Sequence, residues 1–203
     1  MYDLSLTPDV GERREIYVRY LTNVHYYAQF SPRVMAIAAA RCMGTSGALG
    51  IYLLRHSEEE FGHDAWARED LHDLGIDDAQ IDSGRPVLSC EAMVGYINYI
   101  AAIANPIGLF GWMYVLEGVG SDVGPQAAEA ICRALHLSDG VGLRFVARHA
   151  VTDAQHAHDL GDQIEKHVQR TEDARAVEAV AEVIAELYVR MFREIGGEKA
   201  TWV

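Results

Sequence analysis

Hydrophobic residues recur at intervals of three and four along almost the whole chain, and the alternation that marks a half-buried strand is absent. The cleanest stretch is 172–195, where Val177, Val180, Ile184, Leu187, Met191 and Ile195 form one apolar stripe and Gly196-Gly197 supply a stop. Thr7-Pro8-Asp9 reads as an N-cap with proline in the first turn, opening a helix through Ile16, Tyr20, Val24 and Tyr27 that ends before Pro32. A second helix runs from Pro32 to about Met43. Residues 46–73 read as one long helix closed by Gly75, and 78–82 as a short turn. Ser89 caps a helix to Ala104, followed by helices over 107–119, 125–136 and 138–168, the last with a weak point at Gly161. No repeat or long linker interrupts the pattern, so 1–203 reads as one all-α, bundle-like domain of seven or eight helices.

One segment, 92–116, carries no formal charge over 25 residues, long enough to span a bilayer. Asn98, Asn105 and Pro106 within it, and the lack of flanking Lys/Arg asymmetry, point instead to two central bundle helices broken at Asn105-Pro106. Half of the 203 residues are apolar, enough for a sizeable core. The 17 basic against 30 acidic side chains leave a formal charge of −13, which repels nucleic acid and anionic lipid. Cys42, Cys90 and Cys132 lie too far apart for a thiolate metal motif and read as buried thiols of a reducing compartment. The N-terminus lacks the basic head and apolar run of a signal peptide, so a cytoplasmic protein is expected.

Three places could carry chemistry. At about 100° per residue, His149, Asp153 and His156 fall within a stripe about 60° wide, so H-x-x-x-D-x-x-H presents three metal-ligand side chains to one side. The same spacing also suits an ordinary surface ion pair. In 46–73, Glu60 and His63 make E-x-x-H, the spacing by which one helix offers a carboxylate and an imidazole to a metal in a bundle core; a solvated acidic face is the plainer reading. His56 and Glu59 lie on that same side, whereas Glu58 and His72 point elsewhere. Glu117 is the first charged residue after Glu91, in the apolar segment GLFGWMYVLEGVG. A buried lone carboxylate costs several kcal/mol, so Glu117 needs either a metal or a cation such as Arg41, Arg144 or Arg148. Glu60, His63, Glu117, His149, Asp153 and His156 together give three imidazoles and three carboxylates without a thiolate. Zinc commonly takes four ligands, and magnesium and calcium avoid imidazole, so this set favours two iron or manganese ions.

These residues resemble the heme-oxygenase-like diiron oxidases and oxygenases, whose seven-helix fold is shared with TenA-type thiaminases and the pyrroloquinoline-quinone synthase. In that group a third-helix His is followed 54 residues on by a Glu and 32 later by H-x-x-x-D-x-x-H. His63, Glu117 and His149 stand at those separations, and EEEFGHDAWAREDLHDLG and HYYAQFSPR are similar to the subgroup of iron-containing redox enzymes. The resemblance implies two Fe(II) ions that react with O2 through a peroxo-diferric species to oxidise an amino acid, amine or fatty acid derivative. It implies that Glu117 bridges, that Glu60 and His63 hold one iron, and that His149, Asp153 and His156 hold the other. Helix loosening near the site would fall at Gly62, Gly118 and Gly120, and the partners implied are a small-molecule substrate and a second copy of the chain. Several members place a Glu seven residues before the third-helix His, where this chain has His56; others place it three before, at Glu60. Glu60 is therefore taken as the ligand, with His56 as helper or alternative.

Pocket walls are expected from Tyr26, Tyr27, Met35, Trp66, Met113 and Tyr114, all of which suit plain core equally well. A heme oxygenase would use His25 in the first helix, but its glycine-rich distal helix has only Asp139-Gly140-Val141-Gly142 as counterpart. A cofactorless enzyme of the TenA type would need a pocket cysteine, for which Cys132 is the candidate by position. A non-catalytic interaction protein would keep the bundle without the chemistry.

Overall fold

In the computed structural model, residues 9–138 and 140–197 are described, except for the side chains of 150–155. They form α1 (Val10–Ala28), α2 (Ser31–Cys42), α3 (Gly47–Glu59), α4 (His63–Asp73), α5 (Asp78–Ser83), α6 (Leu88–Ala102), α7 (Leu109–Leu135), α8 (Arg144–His167) and α9 (Thr171–Ile195), with a 3-10 turn at Pro106–Gly108. No strand occurs among the described residues. α7 packs most extensively against α8 and also against α9, while α1 packs on α4, α2 on α3, and α6 on α9. Leu109, Phe110, Trp112 and Met113 of its first turns are all buried. At Gly111 the approach to α9 is so close that a Cβ would collide with the Val177 carbonyl, so only glycine fits there.

The all-helical architecture is the expected one, with the short α5 standing where a turn was expected over 78–82, but two boundaries moved. Residues 46–73 are two helices: Gly62 takes φ 89°, a left-handed conformation that ends α3 before α4 restarts at His63. The expected break between 119 and 125 is absent, and α7 is continuous through Pro125. Proline removes one N–H from a helix interior, but Ala127, Ile131 and Leu135 beyond it are buried, and that packing carries the helix past the defect. α8 is unbroken at Gly161. α1 is capped by Asp9, whose carboxylate accepts the Glu12 N–H at 2.9 Å. Ser89 is no cap: it lies inside α6, where its backbone N–H and hydroxyl donate to Glu194 at 3.1 and 2.8 Å. The uncharged 92–116 stretch divides at Asn105-Pro106 as expected, and no described helix is long and apolar enough to cross a membrane.

One long-range lock sets the geometry of the site. The residue before α8, Leu143, offers no capping side chain, so the first N–H groups of that helix need partners from elsewhere. Asp70 on α4, 0% exposed, accepts the N–H groups of Arg144 and Phe145, each at 2.8 Å. Arg144 in turn pairs with Glu69 and Asp70, each at 3.3 Å, and with Asp73. Burial pushes the Asp70 carboxyl upward, and the N–H groups of Phe145 and Arg144 oppose that rise. α4 and α8 are thereby held in fixed register, which brings His63 and His149 together.

Candidate metal centre

The break between α3 and α4 delivers the first donors. His56 lies in the last turn of α3, Glu59 and Glu60 at its end, and His63 opens α4. Glu60 sits between two groups of imidazoles. Its Oε2 is 3.1 Å from His63 Nδ1 and 4.0 Å from His149 Nε2, and its Oε1 is 3.5 Å from His156 Nδ1. Glu60, His63 and His149 form one set of donor atoms within 4.8 Å of one another, and His56, Glu59 and His156 form a second. Glu117 joins the second set through His56, whose Nε2 lies 3.1 Å from its Oε1. The His56 and His156 rings are 4.5 Å apart, and those of His63 and His149 4.8 Å.

The cation expected beside Glu117 is therefore an imidazole. Arg144 is engaged by Asp70 and Asp73, Arg41 donates to the carbonyls of Ile100 and Ala101, and the Arg148 guanidinium lies 5.0 Å from the centre of the Trp66 ring. Burial alone would lower the His56 pKa, but the hydrogen bond and charge of Glu117 raise it on balance. Burial lowers that of His156, and the neighbouring His56 lowers it further. Burial would raise the Glu60 carboxyl, yet the imidazoles of His149 and His63 hold it well below the usual carboxylate range. His149 Nδ1 donates to the Phe145 carbonyl at 3.1 Å, which orients the ring with Nε2 toward Glu60.

Of the six residues singled out from sequence, Glu60, His63, Glu117, His149 and His156 converge in this cluster; Asp153 lies on α8, with its side chain outside what is described. His56 belongs to it as closely as Glu60 does. Glu59 was on the correct face by angle but was assigned no part; it reaches His156 Nε2 at 3.4 Å. The Asp70 lock was missed altogether, since it joins residues more than seventy positions apart through backbone N–H groups that leave no sequence signature.

A match to the family model of iron-containing redox enzymes extends over residues 18–190. The chain belongs to that family. A crystal structure from Shewanella denitrificans OS217, described as a domain of unknown function with a heme oxygenase-like fold, is similar at a TM-score of 0.82 and 26% identity, covering 90% of this chain and 78% of that one. No curated protein matches the chain at a significant level.

The donors of this iron-containing redox enzyme fit iron on their own chemistry. They are imidazole nitrogens and carboxylate oxygens, with no thiolate among them. Two of them, Glu117 Oε2 and His156 Nδ1, are buried without any hydrogen-bond partner, a costly state that a cation would relieve. A cavity of about 140 Å³ opens beside His56, Glu60, Glu117 and His149. Tyr27, Met35 and Met113 line it as expected; Tyr26, Trp66 and Tyr114 do not. Tyr114 is exposed, and Trp66 instead stacks on His63 at 4.0 Å and meets the edge of His149 at 5.4 Å. Trp112 and Tyr188 are further walls that the sequence did not mark. His25 lies outside the cavity and donates to the Asp64 carbonyl at 3.1 Å, so it is not placed as a heme ligand. The Cys132 thiol likewise lines no part of it and donates to the Leu137 carbonyl at 3.4 Å, which leaves the TenA-type reaction without its nucleophile.

Proposed function

We propose that the protein is an O2-activating, non-heme diiron oxidase or oxygenase that acts on a small organic molecule. The observation that carries this reading is the Glu60 carboxylate, which turns one oxygen toward His63 and His149 and the other toward His156. A carboxylate shared in this way can bridge two ions and offset part of their charge, which imidazole cannot. Glu60, His63 and His149 would hold one iron, and His56, Glu117 and His156 the other, with Asp153 added by family resemblance. Two irons so held would supply the electrons and open coordination positions needed to react with O2. The residues around them do the rest. Phe145 and the Trp66 ring fix His149 and His63 in orientation, and the cavity walls exclude water from the substrate. Among the described residues no Lys or Arg lines the cavity, so no cationic side chain of that kind is available to an anionic group of the substrate there. Its volume is about that of the engineered cavity of about 150 Å³ that holds benzene, which sets the size class.

The test is anaerobic Fe(II) loading followed by metal analysis and an O2-consumption trace. About two irons per chain and O2 uptake that depends on Glu60 are expected. One tightly held zinc, or iron near background, would overturn the proposal.

A further inference from the structure

His156 stands between two carboxylates, with Nε2 at 3.4 Å from Glu59 Oε2 and Nδ1 at 3.5 Å from Glu60 Oε1. A neutral imidazole has only one N–H, so whichever nitrogen carries it, the lone pair of the other faces a carboxylate oxygen. The conflict is visible in the structure, because His156 Nδ1 is buried and has no hydrogen-bond partner. A metal cation on this side removes it by taking a lone pair and facing the carboxylates at once.

Glu59 contributes to that arrangement although its side chain is 57% exposed and could lie in water. Its carboxylate instead turns to a buried imidazole, and the same three residues, His56, Glu59 and His156, form a donor set of their own. Within the proposed two-metal reading, on which this inference rests, Glu60, Glu117 and the Asp153 added by resemblance bring three negative charges to a centre of four positive ones. We infer that Glu59 is a ligand of the second ion, supplied from the solvent side. The first ion, among Glu60, His63 and His149, has no donor so open to water in its set. The two ions would then be held unequally, the second partly by a donor half in solvent and the first by more enclosed donors.

The experiment is a cobalt(II) titration of the full chain, followed by calorimetry and by the visible absorption of the bound ion, with Glu59→Gln and Glu59→Ala as test variants and Glu58→Gln as control. Wild type should take up two equivalents. Both Glu59 variants should keep one at wild-type affinity and bind the other at least about tenfold more weakly, with an altered absorption band. Glu58→Gln should behave as wild type, and the metal-free melting of all variants should be unchanged, as expected for exposed positions. Wild-type uptake of both ions by the Glu59 variants would overturn the assignment alone, making Glu59 an ordinary surface carboxylate. Equal weakening of both ions would overturn it too. Fewer than two equivalents in wild type would overturn the two-metal reading itself, and the inference with it.

Discussion

Replacing Glu117 by Gln in the metal-free protein tests the site at its most buried charge. Glu117 is 7% exposed, its Oε1 is 3.1 Å from His56 Nε2, and its Oε2 has no partner. Removing one member of a buried pair typically costs about 3–5 kcal/mol. Two features reduce that here: the amide oxygen still accepts the Nε2–H, and His56 can shed its proton once the carboxylate is gone. The new NH2 group adds a buried donor without an acceptor, worth about 1–3 kcal/mol. The net expectation at pH 6 is a loss of about 2–3 kcal/mol, or about 4–12 °C in melting temperature for a chain of this size. The sign with pH follows from His56. Its folded pKa is raised above the ordinary value of 6.5, so the stability it adds is fully present below 6.5 and is lost as pH rises through the folded value. The gap between wild type and Glu117→Gln should therefore be wider at pH 6 than at pH 9, measured by circular dichroism melting with a chelator present. A variant that melts higher than wild type at pH 6 would refute the reasoning. It would mean that repulsion from Glu59 and Glu60 outweighs attraction to His56.

Asp70→Ala should cost about 3 kcal/mol, a fall of about 6–12 °C, because it strips the partners from two buried N–H groups at the start of α8; a melting temperature within about 2 °C of wild type would remove the α4–α8 lock from the account. Glu60 has a depressed folded pKa, so its contribution is present above the ordinary value of 4.5 and withdrawn as pH falls below it. Metal-free wild type should accordingly lose stability more steeply than Glu60→Gln in acid denaturation below pH 4.5, and parallel curves would contradict the assignment. Trp66 stacks on His63 at 4.0 Å, so Fe(II) or Co(II) should quench its fluorescence; Trp66→Phe should remove most of that quenching, and an undiminished signal would place the ion elsewhere.

What the sequence made legible followed from local rules. Period and stop signals located α2, α6 and α9 to within a few residues, because one apolar face and a terminal breaker define each. Spacing on a helix also put His149 and His156 on one side, and the structure turns both toward Glu60. The failures have a common physical origin in interactions that period cannot express. The same glycine signal that closes a helix at Gly75 was read as interior at Gly62, since Glu60 and His63 fit one helix face as well as a broken one. A new helix was read as starting at 125, whereas tertiary burial on α7 carries one helix through Pro125. Glu117 was expected to hold a metal or to pair with an arginine, yet the arginines named are taken up by backbone carbonyls, by Asp70 and Asp73 and by the Trp66 ring, and the group facing it is an imidazole sixty-one residues earlier.

The pairings in the metal-free centre explain how so many ionisable groups remain buried together. His56 meets Glu117 and His63 meets Glu60, so each buried carboxylate faces an imidazole able to hold a proton for it. Burial of these charges is thereby offset in part within the site. The same pairs compete with an incoming cation, which must displace the protons that they share. His156 is the exception, since its Nδ1 finds no partner and its Nε2 reaches only the half-exposed Glu59. The cluster is thus paired at Glu60 and His63 and unsatisfied at His156, so under the two-metal proposal a bound cation would complete hydrogen-bonding and charge balance there.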